Sequence, residues 1–207
     1  MIRARRVFLD ANVFVTSWTL DILLTLADQS VIEPIWSEKV LDEACKAINR
    51  VHRTRNGRRY LAEAARAYPY AIAEANEKDL ANIELPDPND RHVVAGAIAG
   101  RCEIIVTYNI RDFPKEILAP SGLRAMHPDD FLIETATSNP DGAMAAIRAL
   151  VSTKKHPPRS FEEEIEGLRA NMLGRFADFV QERVSAGETL SPDTEFRTAA
   201  PDEGQPQ

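Results

Sequence analysis

The chain opens on a short apolar run, Val7-Phe8-Leu9, that ends in a carboxylate at Asp10. A run of this length without polar alternation predicts a buried strand. Apolar residues then crowd the segment from Val13 to Leu26 and predict one helix buried on more than one side, followed by a turn at Asp28-Gln29-Ser30. Val31 to Ile35 predicts a weak second strand. Ser37 is placed to cap a helix running to about Asn49, with Glu38 favourably sited in its first turn. A loop at Asn56-Gly57 leads into a long Ala-rich helix from about Tyr60 to Asn76, which Pro69 should kink or split. Pro86-Asp87-Pro88-Asn89 forms a loop that starts another helix, Asp90 to Ala99, closed by Gly100.

Glu103-Ile104-Ile105-Val106-Thr107 is the clearest strand, and its unbroken apolar centre suits a parallel sheet covered on both faces. A loop from Tyr108 to Pro114, a short helix, an edge strand at Leu123 to Met126 and a helix from Pro128 follow. Strands alternating with helices define an α/β fold, a doubly wound parallel sheet with flanking helices, over residues 1–136. The crevice at the strand C-termini is where such a sheet presents reactive groups. A C-terminal helical region spans 137–187. Asn139-Pro140 caps one helix there, and Ser160-Phe161-Glu162-Glu163 is a capping-box pattern for another running to about Ser185.

Charge adds a second layer. The formal net charge is −7, but residues from Glu188 onward hold five acids against Arg197, so four of those seven charges lie in a Pro-rich segment. Residues 188–207 are therefore expected to form a disordered acidic tail. The body is only mildly acidic, and the stretch from Lys46 to Arg59 gathers Arg50, Arg53, Arg55, Arg58 and Arg59 with His52. That strip is a candidate contact for phosphates. No apolar stretch is long enough to span a bilayer, and the N-terminus lacks the apolar core of a signal peptide, so a cytoplasmic protein is expected. Cys45 and Cys102 lie far apart without metal-ligand spacing and read as reduced structural residues.

Against this frame the acids on apolar faces stand out. Glu43 lies three residues after Val40 and four before Ala47, on or beside the apolar stripe of its helix, whereas Asp42 faces away. Asp90 precedes Val93 and Val94 by three and four residues, which puts it on the side packed toward the sheet; Asp87 is the competing acid in that loop. After the cleanest strand, Thr107, Asn109 and Asp112 offer a hydroxyl, a carbonyl and a carboxylate. Each acid alone has an ordinary explanation as a cap, a turn residue or a solvated border. Together with Asp10 they form a set that would repel unless a cation joined it, and oxygen donors favour Mg²⁺ or Mn²⁺. His52, His92, His127 and His156 are scattered and are not expected to be ligands.

In order, Phe8-Leu9-Asp10-Ala11-Asn12-Val13, Ser37 to Glu43, Asp87 to Ala95 and Ile105 to Pro114 resemble the PIN-domain ribonucleases, in particular the VapC toxins of VapBC toxin-antitoxin pairs. The resemblance covers residues 1–136, and the C-terminal helices are similar to the appended domain of one VapC subgroup. It implies a metal-dependent endoribonuclease that leaves 3′-hydroxyl and 5′-phosphate ends. Asp10, Glu43 and Asp90 match the three central acids and Asp112 the more variable fourth. Many relatives carry an acid where Asn109 stands, which leaves the fourth ligand between Asp112 and Asn109. The resemblance further implies an RNA substrate, a cognate antitoxin and a homodimer; by their chemistry Asn12 and Thr107 suit supporting polar groups, and Arg111 joins the basic strip as a candidate phosphate contact. Two other classes begin similarly. A haloacid-dehalogenase-like phosphatase needs a second Asp where Asn12 stands. A receiver-like or degenerate PIN module would bind metal without cleaving anything.

Overall fold

The computed structural model describes residues 4–52, 56–75, 83–153 and 160–187. Arg53, Arg55, His156 and the 188–207 segment lie outside them. Four parallel strands, β1 (Arg5–Leu9), β2 (Ile32–Ile35), β3 (Ile104–Val106) and β4 (Arg124–Met126), form one sheet in the order β2-β1-β3-β4. Val7 pairs with Pro34 on one side and Ile104 on the other, so β1 is central and its Val7, Phe8 and Leu9 are fully buried. Pro34 is tolerated because β2 is an edge strand and needs no donor there. Beyond β2, the Trp36 N–H donates to the Ala71 carbonyl (2.8 Å) and the Ala73 N–H to the Trp36 carbonyl (2.9 Å), which covers the end of that edge.

The parallel α/β sheet expected from the sequence is present, but three helices differ in extent. Where one helix was expected from Val13 to Leu26, two form, α1 (Ala11–Val15) and α2 (Ser17–Asp28), because Thr16 is extended (φ −98°, ψ 106°). The Ala-rich helix α4 runs Gly57–Ala67, not from Tyr60 to Asn76. Asn56 caps it by accepting from the Arg59 N–H (3.1 Å), and Tyr68, which precedes Pro69, leaves the α region (φ −124°, ψ 67°). Helix α3 (Glu38–Val51) begins as expected, with Ser37 Oγ accepting from the Val40 N–H (3.2 Å).

A 3₁₀ turn, Pro88–Asp90, leads into α5 (Arg91–Ala99), and a β-carbon on Gly96 would stand 2.8 Å from the Phe8 ring. Glycine there lets the helix lie close against β1. Gly100 keeps an ordinary φ of −72°, while Arg101 takes the left-handed conformation (φ 52°). Gly100 is needed for space, since its β-carbon would meet Ile35 at 2.8 Å. After β3, α6 (Lys115–Leu118) and β4 lead into α7 (Pro128–Ser138).

The C-terminal helices are α8 (Pro140–Thr153), α9 (Phe161–Ala170) and α10 (Gly174–Ser185). Ser160 and Glu163 form the expected capping box. The helix expected to run on to Ser185 instead breaks at Asn171–Leu173, where Met172 is left-handed (φ 63°). These helices share one apolar core with the sheet: Ile165, Leu168, Phe176 and Val180 belong to the same cluster as Phe131 and Leu132. Gly167 is part of this fit, because a β-carbon would lie 2.1 Å from the Trp18 ring of α2. Cys45 and Cys102 are free thiols, and burial pushes Cys102 up to about 12, so it stays protonated. No helix among the described residues is long and apolar enough to cross a membrane.

Asp129 anchors α10 to α7. Its buried carboxylate accepts from the Phe176 N–H (2.9 Å) and the Arg175 N–H (3.1 Å), capping the free donors at the start of α10. Asp129→Ala should cost about 2–3 kcal/mol, as two N–H groups lose a charged acceptor. Urea unfolding measures this, and a loss below about 0.5 kcal/mol would show that the cap contributes little.

Candidate active site

Asp10 sits where β1 meets α1, at the C-terminal edge of the sheet, and is 8% exposed. Its carboxylate also caps α1, with Oδ1 accepting from the Ala11 N–H (2.6 Å). Oδ2 accepts from the Asn12 amide (2.6 Å) and the Thr107 hydroxyl (2.7 Å). An ionised carboxylate has about four acceptor directions, so three donors fix its orientation and leave room for one further partner. The neighbouring strand end is tied in by the same groups. Asn12 Nδ2 reaches Thr107 Oγ1 (2.9 Å), Asn12 Oδ1 accepts from the Tyr108 N–H (3.1 Å), and Thr107 Oγ1 accepts from the Asn109 N–H (3.0 Å). Asn109 in turn donates through its side-chain amide to Asp112 Oδ2.

The other acids arrive on helices. Val40, Ala44 and Ile48 form the buried face of α3, and Glu43 stands at its border, half-buried, while Asp42 is exposed. Asp90 closes the 3₁₀ turn before α5, without capping it through its side chain. Burial raises Asp90 to about 6, and repulsion from Asp10, Asp87 and Asp112 adds to the rise, with His92 opposing it. Burial likewise raises Asp10 above the usual carboxylate range; the Thr107 and Ala11 bonds counter this, and Glu43 adds repulsion. Thus Asp10 feels both Glu43 and Asp90, and Asp90 also feels Asp112, which links the four acids into one chain of repulsions. Asp87 joins them electrostatically, and its side chain caps the 3₁₀ turn at the Asn89 N–H (2.9 Å).

His92 belongs to this group and was not expected from its sequence position. It is 6% exposed, and its Nε2 lies 3.0 Å from Glu43 Oε1. The ring is turned off the line of a hydrogen bond, so the contact is a close approach, and neither ring nitrogen has a hydrogen-bond partner among the described residues. The available signal was its place two residues after Asp90 on a buried helix face. Of the basic candidates, Arg50, Arg58 and Arg59 are exposed at the facing ends of α3 and α4, and Arg111 is exposed beside Asp112. Arg59 also pairs with Glu63 (3.3 Å).

Among the described residues, no three His, Cys, Asp or Glu side chains stand close enough to form a ready metal cluster. Mg²⁺ does not require one, because it keeps several waters and takes one or two carboxylates together with substrate phosphate oxygens. The donor chemistry therefore fits a hydrated hard cation: oxygen donors on Asp10, Glu43 and Asp90, an Asp10 with an acceptor direction to spare, and an Asp90 whose charge is disfavoured by burial and by its acidic neighbours. A separate cavity of about 540 Å³ at β2, lined by Ile32, Pro34, Tyr68 and Tyr70 among others, contains none of these acids.

A family model described as PIN domain matches residues 6–111. The chain therefore belongs to the PIN-domain family. A second model, described as the VapC50 C-terminal domain, matches residues 128–182, which places the chain in the VapC type that carries a C-terminal extension. It is 41% identical over 69 residues to the protein described as "Putative ribonuclease VapC50" of Mycobacterium tuberculosis (strain ATCC 25618 / H37Rv). That alignment takes in 33% of this chain and 41% of the relative, so it spans about two-fifths of the relative's length. No solved structure matches. The PIN match includes Asp10, Glu43, Asp90 and Asn109 and stops one residue before Asp112.

An acid whose folded pKa is raised costs stability once ionised. The cost of Asp90 is absent below about pH 4, grows as pH rises toward about 6, and is complete above it. A shift of that size is roughly 3 kcal/mol for a fully buried group and, discounted for solvent screening at this half-buried one, about 1 kcal/mol. In metal-free protein, Asp90→Asn should therefore raise the unfolding midpoint at about pH 7.5 by a few degrees and leave it nearly unchanged at about pH 4. Equal midpoints of wild type and variant at both pH values would show that neither burial nor its acidic neighbours disfavour the Asp90 charge.

Proposed function

We propose that this chain is a divalent-metal-dependent endoribonuclease, the toxin of a toxin-antitoxin pair, acting in the cytoplasm on single-stranded or looped RNA. The observation that carries it is the buried Asp10 carboxylate, fixed by Ala11, Asn12 and Thr107 and coupled to Glu43 and to Asp90, which in turn feels Asp112. The PIN family membership and the relative's description as a ribonuclease support the same chemistry. Asp10 and Asp90 would hold Mg²⁺ or Mn²⁺, with Glu43 and Asp112 available to it directly or through water. Such an ion, when bound, neutralises phosphate charge and makes a bound water acidic enough to attack near neutral pH.

The chain's own groups do the rest. Thr107 and Asn12 keep Asp10 in one orientation, and Asn109 does the same for Asp112. Glu43, half-exposed at the crevice border, orients the attacking water and accepts its proton. Water adds to phosphorus, the bond to the 3′ oxygen breaks, that oxygen takes a proton from solvent water, and the products carry a 3′-hydroxyl and a 5′-phosphate. Exposed Arg50, Arg58 and Arg111 would contact flanking phosphates. A homodimer and a cognate antitoxin that covers the acidic crevice complete the proposal. Asn12 disfavours the phosphatase alternative, since its amide donates to Asp10 and cannot serve as a general acid.

Mapping RNA ends after induction tests this directly. Wild type should produce new 5′-phosphate ends, chelation by EDTA should abolish them and Mn²⁺ restore them, and Asp10→Asn should lower cleavage at least about 100-fold. Metal binding with no cleavage of any RNA would favour a binding module instead. Undiminished cleavage by Asp10→Asn would remove Asp10 from the mechanism.

A further inference from the structure

The break between α9 and α10 points at the acid site. A helix end leaves carbonyls without partners, and several of them find one here. The Leu168 carbonyl accepts from the Asn171 N–H (3.1 Å) and the Leu173 N–H (3.0 Å), and the Gly167 carbonyl accepts from the Asn171 side-chain amide (2.7 Å). The Asn171 carbonyl accepts from the hydroxyl of Tyr108 (3.2 Å), the residue that follows Thr107 in the catalytic loop.

The Tyr108 hydroxyl also lies 2.5 Å from Thr19 Oγ1, where either oxygen could donate. A carbonyl can only accept, so Tyr108 gives its single proton to Asn171 and Thr19 must donate to Tyr108. The direction of both bonds is thus set by the C-terminal helices. At its other end, Tyr108 donates its backbone N–H to Asn12 Oδ1 (3.1 Å), and Asn12 donates to Asp10. The ring packs edge-on against His127 (centroids 4.9 Å apart), two residues before Asp129, which caps α10. The C-terminal region therefore holds Tyr108 directly through the Asn171 carbonyl, two hydrogen-bonded residues from the Asp10 carboxylate, and indirectly through α7, whose Asp129 caps α10.

We propose that the C-terminal extension braces the acid site, with the Asn171 carbonyl holding Tyr108 so that Asn12 and Asp10 keep their orientation. Tyr108 is a positioning residue that acts through Asn12, and its role in catalysis rests on the nuclease proposed above. The brace itself is a property of the fold and can be measured without any RNA.

The test uses the full-length protein as Tyr108→Phe, Thr19→Val and the double variant. Tyr108→Phe keeps the ring against His127 and loses only the hydroxyl. In the Thr19→Val background the hydroxyl has Asn171 as its partner, so its removal there reports on the C-terminal contact. Amide hydrogen exchange at position 108 should quicken about tenfold in both hydroxyl-free proteins relative to their parents, with the Val180 amide of α10 unchanged. Cleavage of a single-stranded RNA should show kcat about tenfold lower and KM within about twofold. Two results would overturn the brace: exchange at position 108 that does not change when the hydroxyl is lost in the Thr19→Val background, or exchange that quickens equally at Val180, which marks general destabilisation. Loss of local protection with unchanged kcat would also overturn its catalytic role. If wild type cleaves no RNA, or Asp10→Asn cleaves as well as wild type, the nuclease assignment fails, while the exchange result still decides the brace.

Discussion

The structure turns on a carboxylate buried where burial opposes its charge. Asp10 stays ordered at the end of β1 because the Ala11 N–H, the Asn12 amide and the Thr107 hydroxyl converge on it. The Thr107 donor is available because β1 and β3 run parallel and end side by side, which the Val7 to Ile104 and Leu9 to Val106 register secures. Glu43 on α3 and Asp90 at the start of α5 then add further negative charge close to Asp10. An acid held this way is costly to fold and suited to a cation, so the same feature weakens the metal-free protein and defines its chemistry.

Much of this was legible in the residues. The apolar runs ending at Asp10 and Thr107, the Ser37 cap and the Ser160 capping box are local patterns, and each appears where its residues predict it. Helical spacing also placed Glu43 at the border of its stripe and Asp42 outside it. What could not be read are features decided by distant partners. Thr16 and Met172 interrupt segments whose composition suits continuous helices, and no local signal marks either break. Nor does spacing show that His92 meets Glu43 from another helix, or that a carbonyl near residue 171 meets Tyr108. Such contacts exist only once the sheet has brought both elements together.

The C-terminal helices are more than an attachment. Gly167 admits the Trp18 ring, Asp129 caps α10, and one continuous core joins Phe176 and Val180 to Phe131 and Leu132. Removing that region would open the core of the sheet domain and would release Tyr108. Stability and the geometry of the acid site are therefore linked through the same few contacts.

The proposed chemistry requires the acids around Asp10 to hold a divalent cation. Calorimetric titration with Mn²⁺, which needs neither RNA nor an antitoxin, tests it most directly. Wild-type protein should bind the ion with measurable heat, and Asp10→Asn, folded to the same extent, should show none over the same concentration range. Equal binding by the variant, or no binding by the wild type, would contradict the account.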